Sequence, residues 1–257
     1  IETLSWAGSY NSGNLCYNNL DMMKKYEWLI ALGIFTLFAL FLQLQLFPNI
    51  ADPDGFYHLQ HAFQYRANGV LQNEFPWTQY SSIKTQASDL WYGFHILLIP
   101  FTFFVPLLHG LYWAAFFITI ISLGLVFWTL KRLRVRWPIF WTMLFAVITA
   151  DLLYRLTMLR PHPLSLGLTL LLFSFLIRAP KKLKELWPVF LIAALLAWLH
   201  ISLAWVMAGV ALVIAGTRLL MTRKLHWRPL LTVATGGALG WLLRPNPFGA
   251  AKLAYIQ

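Results

Sequence analysis

Long apolar runs without charged residues are the feature that most constrains this chain. The first is "WLIALGIFTLFALFLQLQLF" at residues 28–47, and several similar runs follow it. A helix needs about 20 mostly apolar residues to cross the hydrocarbon core of a bilayer. Backbone groups in lipid must also find hydrogen bonds within their own segment. The runs therefore predict an all-α fold, a polytopic transmembrane helical bundle, and 59% hydrophobic against 11% charged residues agrees with this class.

The basic residues are distributed in a way that argues against nucleic acid as a partner, despite a net charge of +11. They lie in short clusters between the apolar runs, such as "KRLRVRW", "RAPKKLKE" and "RLLMTRKLHWR". Clusters of this kind are typical of cytoplasmic loops, which carry an excess of Lys and Arg. The single cysteine, Cys16, excludes an internal disulfide and a cysteine-based zinc site.

The charge clusters also predict how the chain crosses the membrane. Lys24 and Lys25 hold the start of the first run inside, so residue 48 emerges outside. The run "WYGFHILLIPFTFFVPLLHG" carries two prolines and two histidines, which predicts an interfacial or re-entrant segment. About seven crossings result, with a long outer loop at 48–109; they are residues 28–47, 110–130, 138–152, 163–177, 187–199, 201–217 and 229–243.

Two units follow from this division of the chain. Residues 1–21 are polar and without periodicity, and we predict that they are disordered or a spurious N-terminal extension. Residues 22–257 are predicted to form one transmembrane module. Its last residues, "AAKLAYIQ", resemble the beginning of a further segment.

The stretch "NIADPDGFYHLQHAFQYRANG" places acids and histidines just where the chain leaves the first run. Asp52 can cap a helix that has Pro53 at its first position, and Asn68-Gly69 can end that helix. An Asp-Pro-Asp sequence is also an ordinary helix start, because acids in a first turn suit the helix dipole. The boundaries are therefore predicted more firmly than any chemical role.

Asp54, His58 and His61 lie at positions i, i+4 and i+7 of this predicted helix and share one face, with Asp52 just above it. Asp52 or Asp54 is then a candidate catalytic base, and Asp52, Asp54 and His58 form a candidate ligand set for Mg²⁺ or Mn²⁺. The alternative is that both histidines are surface or packing residues.

A second polar cluster is "TADLLYRLTMLRPHPLS". Asp151 lies near the lipid boundary, where a carboxylate is costly unless it is paired. Arg155 is its natural partner if the helix continues. Arg155, Arg160 and His162 are also candidates to bind a phosphate group, because guanidinium groups match phosphate oxygens in bidentate fashion. The alternative is that the arginines extend to lipid headgroups.

Two further cations lie at predicted outer ends. His200 lies in a turn between two apolar runs, where it faces the same cavity or is simply an interfacial helix-end residue. Arg244 in "LLRPNPFG" is a candidate to bind lipid phosphate. We expect the acids from the beginning of the chain and the cations from its middle to meet in one water-facing pocket.

The segment "DPDGFYHL" after an uncharged first helix resembles the glycosyltransferase-C superfamily. The longer stretch "DPDGFYHLQHAFQYRANGVLQNEFPW" is most similar to the first outer loop of the oligosaccharyltransferase catalytic subunit. The segment "RPHPLSLGLTLLLFSFL" is similar to the entry of a middle helix in bacterial members. Asp151 stands alone where a second acidic pair would be expected, which favours a simpler sugar transferase over protein N-glycosylation.

The resemblance implies transfer of a sugar from a polyprenyl-phosphate-linked donor to a carbohydrate, lipid or protein acceptor. The enzyme would be an integral protein of a prokaryotic plasma (inner) membrane, with its active site on the outer, periplasmic face. Asp52 or Asp54 would be the base or a metal ligand, and Arg155, Arg160 and His162 would lie near the donor phosphate. An O-antigen ligase or polymerase-like enzyme and a lipid or solute transporter are the alternatives.

Overall fold

The computed structural model describes residues 12–72, 75, 80–178, 180 and 182–256, with side chains from Tyr26 onward. These residues form twelve α-helices and two short 3-10 helices, Ile99–Phe103 and Ile201–Leu203, and they include no strand. The helices are α1 Ser12–Leu46, α2 Asp54–Asn68, α3 Ser82–Gln86, α4 Tyr92–Leu98, α5 Leu107–Arg132, α6 Pro138–Val147, α7 Ala150–Thr157, α8 His162–Leu176, α9 Leu183–Leu199, α10 Ala204–Thr222, α11 Trp227–Leu242 and α12 Pro247–Ile256.

The all-α class is confirmed, whereas three or four membrane spans are supported where the sequence predicts about seven. Tyr26–Leu46, Leu107–Arg132 and Ile201–Thr222 are long and apolar enough to cross. Helices α6 and α7 make a fourth span only if they count as one, because they meet at a 93° bend. The bend divides the single run predicted at 138–152, since Thr149 caps a new helix by accepting the Leu152 N–H.

The remaining apolar helices are shorter. Tyr92–Phe103 and His162–Leu176 are apolar, and α9 and α11 have 17 and 16 residues. The sequence predicts that the proline-containing run at 91–108 does not form a spanning helix, and the structure agrees. The run breaks into α4 and the Ile99–Phe103 3-10 helix. Helix α1 begins at Ser12, within the stretch predicted to be disordered, and residues 1–11 lie outside the described part of the chain.

Small residues let the central helices approach closely. A Cβ on Gly240 would lie 2.0 Å from the Ala194 carbonyl oxygen, and a Cβ on Gly236 would lie 2.4 Å from the Phe190 carbonyl oxygen. Glycines on α11 therefore bring its backbone against α9, the packing that membrane helices favour. Helix α5 packs between α1, α6 and α8.

Polar contacts divide the bundle into two ends. At one end Glu27 pairs with Lys131 at 2.7 Å, and the Arg218 guanidinium donates to the carbonyls of Leu176 and Ile177. At the other end α2, α4 and the Ile99–Phe103 turn form a layer over the helix termini. The candidate site lies in this layer.

Candidate functional site at the start of helix α2

Arg160 joins the two aspartates at the start of α2. Its Nε donates to Asp52 Oδ2 in a short hydrogen bond, and its Nη2 lies 2.6 Å from Asp54 Oδ2. Arg160 is 108 residues from Asp52 in sequence, in the turn between α7 and α8. The structure thus brings together an acidic motif and a cation that the sequence predicts to meet.

Small and hydrogen-bonding residues hold α2 at this place. A Cβ on Gly55 would lie 3.2 Å from Leu111 of α5 and 3.5 Å from Leu159, the neighbour of Arg160. The Tyr154 hydroxyl of α7 donates to the Ala51 carbonyl at 2.6 Å. The glycine of the "DPDG" motif therefore allows the approach that places both carboxylates against Arg160.

The two carboxylates differ in environment. The Asp52 side chain is 7% exposed, whereas that of Asp54 is 54% exposed. The hydrogen bond from Arg160 lowers the pKa of Asp52 below its ordinary value and outweighs the opposing effect of burial. Asp52 also accepts the Asp54 backbone N–H at 3.3 Å, so the predicted contact of Asp52 with the first turn is present although α2 begins at Asp54. Its predicted end at Asn68-Gly69 is confirmed, with Gly69 at φ 98°.

The candidate metal ligands are already engaged by other groups. The guanidinium of Arg160 supplies positive charge between the Asp52 and Asp54 carboxylates. His58 Nδ1 lies 2.8 Å from His95 Nε2, on another helix. A divalent cation needs oxygen or nitrogen donors that converge on one point. This donor set does not fit Mg²⁺ or Mn²⁺ well, and we derive no step through a metal.

Arg155 and His162 lie at a cavity of about 470 Å³ between α7, α8 and α10. The rest of its lining is largely apolar, from Leu152, Pro163, Leu166, Leu203 and Val206, with Thr169. His162 Nδ1 is buried and has no hydrogen-bond partner among the described residues. The cavity therefore combines a cationic side with a wall that suits a hydrocarbon chain.

Asp151 forms the ion pair that the sequence predicts for a continuing helix. Arg155 Nε lies 2.8 Å from Asp151 Oδ2, and both side chains are exposed on α7. Asp151 is thus paired with Arg155 of its own helix rather than with Arg160.

His200 lies beside His162, with ring centroids 4.8 Å apart. Its Nδ1 is 3.3 Å from the Ser165 Oγ, and burial lowers its pKa to about 3. It is therefore a neutral, buried neighbour of His162 at the end of α9.

Arg244 faces the protein backbone rather than a solvent-filled pocket. Its Nε and Nη2 donate to the carbonyls of Trp241, Ala197 and Trp198, and its Nη1 donates to the Asp89 carbonyl at 3.1 Å. The carbonyls of Ala197, Trp198 and Trp241 lie in the last turns of α9 and α11, where carbonyl groups have no hydrogen-bond partner within their own helix. Burial lowers its pKa to about 10. The contacts indicate a structural role for Arg244 in place of the predicted phosphate contact.

A buried polar cluster lies under α2 that the sequence does not single out. Asp89 Oδ2 accepts hydrogen bonds from His95 Nδ1 at 2.6 Å and from the Tyr65 hydroxyl at 3.0 Å. Its Oδ1 accepts the Trp91 N–H at 2.9 Å. Burial opposes ionisation of Asp89, but the adjacent His95 and His61 and these hydrogen bonds hold its pKa below the ordinary value.

His61, Asp89 and His95 form a group with one possible ligand atom each within 4.8 Å of one another. The His61 and His95 rings are stacked, with centroids 4.3 Å apart and planes 15° apart. Ligand lone pairs lie in the ring plane, so two stacked rings do not direct them at a common ion. The geometry favours a hydrogen-bond network over a metal centre.

Asp89 and His95 are the residues that sequence reasoning missed as site candidates. The available signal was one histidine inside the apolar run "WYGFHILLIP", because a polar group there needs a buried partner. No family model, curated protein or solved structure matches this chain. The resemblance to the glycosyltransferase-C superfamily therefore rests on the residues of the sequence itself.

Proposed function

We propose that this chain transfers a sugar from a polyprenyl-phosphate-linked donor to an acceptor at the outer face of a membrane. The observation that carries the proposal is the pair of contacts from Arg160 to Asp52 and Asp54. Arg155 and His162, five residues before and two residues after Arg160 in the sequence, line an apolar cavity. A lipid phosphate has the same two-part chemistry, an anionic head and a hydrocarbon tail.

Arg160 retains the capacity to bind a phosphate while it holds the aspartates. A guanidinium has five N–H donors, and the two contacts with Asp52 and Asp54 leave the others free for phosphate oxygens. Arg155 adds further N–H donors at the apolar cavity, which His162 also lines. As the bond between the sugar C1 and the phosphate oxygen breaks, the two arginines stabilise the charge that develops on that oxygen.

Asp54 is the more exposed carboxylate and is suited to orient the acceptor. Its oxygens accept a hydrogen bond from the acceptor hydroxyl, whose oxygen then forms the new bond to C1. Asp52, largely buried, holds Arg160 in place through Nε. The hydroxyl proton leaves to a protein base, and the polyprenyl phosphate departs with the bonding electron pair.

We also propose which end of the helical bundle faces the inside of the cell. Basic residues cluster at the end that holds Glu27 and Lys131, which we assign to the inside. The site then faces outward. We also propose that α8, α9 and α11 cross together with the longer helices, where the bilayer is thin enough to match their length.

The test is a screen of radiolabelled polyprenyl-phosphate sugars with the purified protein, with and without a chelator. We expect one donor class to be consumed, and we expect the chelator to leave the rate unchanged because Arg160 supplies the charge between the aspartates. Asp54→Asn, Asp52→Asn and Arg160→Lys should each lower transfer by about 10²-fold or more, as the loss of a positioned charged group does.

Glu27→Gln is the matched control. It breaks an ion pair with Lys131 near the start of the Tyr26–Leu46 span, about 30 Å from the other end of that span by the rise of a helix. Its transfer rate should equal that of the unmodified protein. Wild-type activity in both aspartate variants refutes the assignment of the site, and inactivity towards every donor class refutes the function.

A further inference from the structure

Three buried side chains below the ion pair form a continuous chain of hydrogen bonds. Asp89 Oδ2 contacts His95 Nδ1 at 2.6 Å, and His95 Nε2 contacts His58 Nδ1 at 2.8 Å. The side chains of Asp89 and His95 are 2% and 0% exposed, and His58 is 4% exposed. The chain therefore starts at a sealed carboxylate and ends at His58, on the same helix as Asp54.

The hydrogen bonds determine which ring nitrogen of His58 is free of a proton. An ionised carboxylate only accepts, so His95 Nδ1 carries a proton and donates it to Asp89. His95 Nε2 then carries a lone pair and accepts the proton of His58 Nδ1. His58 Nε2 is left with a lone pair. It makes no hydrogen bond among the described residues and is not among the fully buried side-chain nitrogens that lack one, so it keeps some exposure.

His58 is also placed beside the ion pair. It lies four residues after Asp54, one turn along α2, and residues at this spacing are neighbours on one helix face. The charged and titratable groups that act on it are Arg160 from the turn before α8, His95 from α4, Asp89 from the preceding loop and His61 from α2 itself. Burial keeps its pKa well below the ordinary value, so the resting ring is neutral.

We propose that His58 Nε2 is the proton acceptor of the transfer reaction, and that His95 and Asp89 are positioning residues that fix its tautomer. The inference rests on the proposed glycosyl transfer and deepens it. The acceptor hydroxyl, oriented by Asp54, gives its proton to Nε2 as its oxygen bonds to C1 and the phosphate leaves. The imidazolium that forms on His58 is stabilised through His95 by the Asp89 carboxylate, the logic by which a third group orients a catalytic histidine.

Asp52 is a poorer candidate for this step. Both of its oxygens already accept hydrogen bonds, from Arg160 and from the Asp54 backbone. His58 has no such competing donor at Nε2 among the hydrogen bonds described.

Asp89→Asn tests the chain of hydrogen bonds without removing volume. An amide at residue 89 can donate to His95 Nδ1, which moves the His95 proton to Nε2 and forces the His58 proton to Nε2. In ¹⁵N-histidine spectra, assigned through His58→Gln, we expect Nδ1–H on His58 in the unmodified protein and Nε2–H in Asp89→Asn. An Nε2–H tautomer in the unmodified protein overturns the inference without any assay of activity.

The kinetic arm uses the donor identified by the screen. His58→Gln and Asp89→Asn should lower kcat by about 10²-fold to 10⁴-fold with KM unchanged, the range for general base catalysis. Tyr65→Phe is the matched control, because it removes another hydrogen bond to Asp89 Oδ2 and leaves the histidine chain intact. Its kcat should fall less than about tenfold.

The outcomes separate the two proposals. If the unmodified protein transfers sugar and His58→Gln retains its kcat, the role of His58 is wrong and glycosyl transfer stands. If no donor is consumed, the function fails and the role of His58 in it fails as well.

Discussion

Two groups of polar side chains meet at α2, one around Arg160 and one around Asp89, and they are built in opposite ways. The rim pair of Asp52 and Asp54 with Arg160 is partly open to solvent and joins charged groups. The cluster of Asp89 with His58, His61 and His95 is buried, and it joins one carboxylate to histidines, which carry a charge only when protonated.

The difference separates the groups that can bind an anion from the groups that position a helix and, through His58, accept a proton. An arginine at the rim keeps its charge at every relevant pH and has spare donors for an anion. A carboxylate in the interior must have every lone pair satisfied, because an unpaired buried charge is costly. The rim is therefore the place where an anionic ligand binds, and Asp89 and His95 in the cluster fix the orientation of α2 and of His58 on it.

Removing the buried carboxylate should have the largest effect. Asp89→Ala leaves His95, Tyr65 and the Trp91 N–H without their acceptor. We expect a loss of about 3–5 kcal/mol in the free energy of unfolding, measured by denaturant titration in detergent. Asp52→Ala at the rim should cost much less, and an equal cost for both would remove the distinction between the two regions.

As the pH falls, the free energy of unfolding should first decrease because of the buried histidines, and only at lower pH because of the rim aspartates. His61 has a pKa lowered from 6.5 to about 3 by burial, and His200 behaves likewise. Between these values the unfolded chain binds protons that the folded chain does not, so stability falls as the pH drops below 6.5. The loss from pH 6.5 to pH 5 should be about 2 kcal/mol for each histidine.

The rim contributes at lower pH. Asp52 has a lowered pKa, so its contribution is complete above the unfolded value of 3.8 and is lost only as the pH falls through the folded value. His61→Gln and His200→Gln should flatten the stability curve between pH 5 and pH 6.5. An unchanged slope in both variants would mean that these histidines titrate normally in the folded state.

Gly55→Val tests whether the rim can be opened while the cluster stays intact. The new side chain would press on Leu111 and Leu159 and move the start of α2 from Arg160. We expect a cost of about 1–3 kcal/mol in unfolding free energy and a loss of transfer. Gly124→Val is the matched control, because a Cβ there has no atom within 4 Å.

Asp151→Asn should have the smallest effect. Asp151 is 70% exposed and pairs with Arg155 four residues away. Exposed pairs of this spacing contribute about 0.3–0.5 kcal/mol, so the unfolding midpoint in detergent should move little. A shift as large as that of Asp52→Ala would show that Asp151 is part of the rim after all.

Local signals explain what could be predicted from the sequence. Apolar runs fixed the class, Pro53 and Asn68-Gly69 predicted the limits of α2 closely, and the spacing of Asp151 and Arg155 predicted their pair. Arg160 was among the predicted partners of the acids because basic and acidic motifs both fell at helix ends on one side of the bundle.

Long-range packing explains what could not be predicted. Nothing in the periodicity of the 91–108 run states that His95 turns towards α2, or that Asp89 joins it from a loop. Arg244 has the composition of a phosphate ligand, but its bonding to helix-end carbonyls depends on where α9 and α11 finish. The 93° bend after α6 lies at the Thr149 cap, inside a stretch that its composition predicts to be one run.

The contacts of Arg244 and Asn246 have a consequence for biogenesis. Arg244 holds the Asp89 carbonyl across 155 positions, and Asn246 holds the Gln86 and Ala87 carbonyls across 160 and 159. The ribosome delivers the first partner long before the second, so we expect these carbonyls to lack their side-chain donors until α11 and the residues after it have been made. A chaperone or a neighbouring subunit that shields this segment would therefore act after α10 has been made and before α11 is in place.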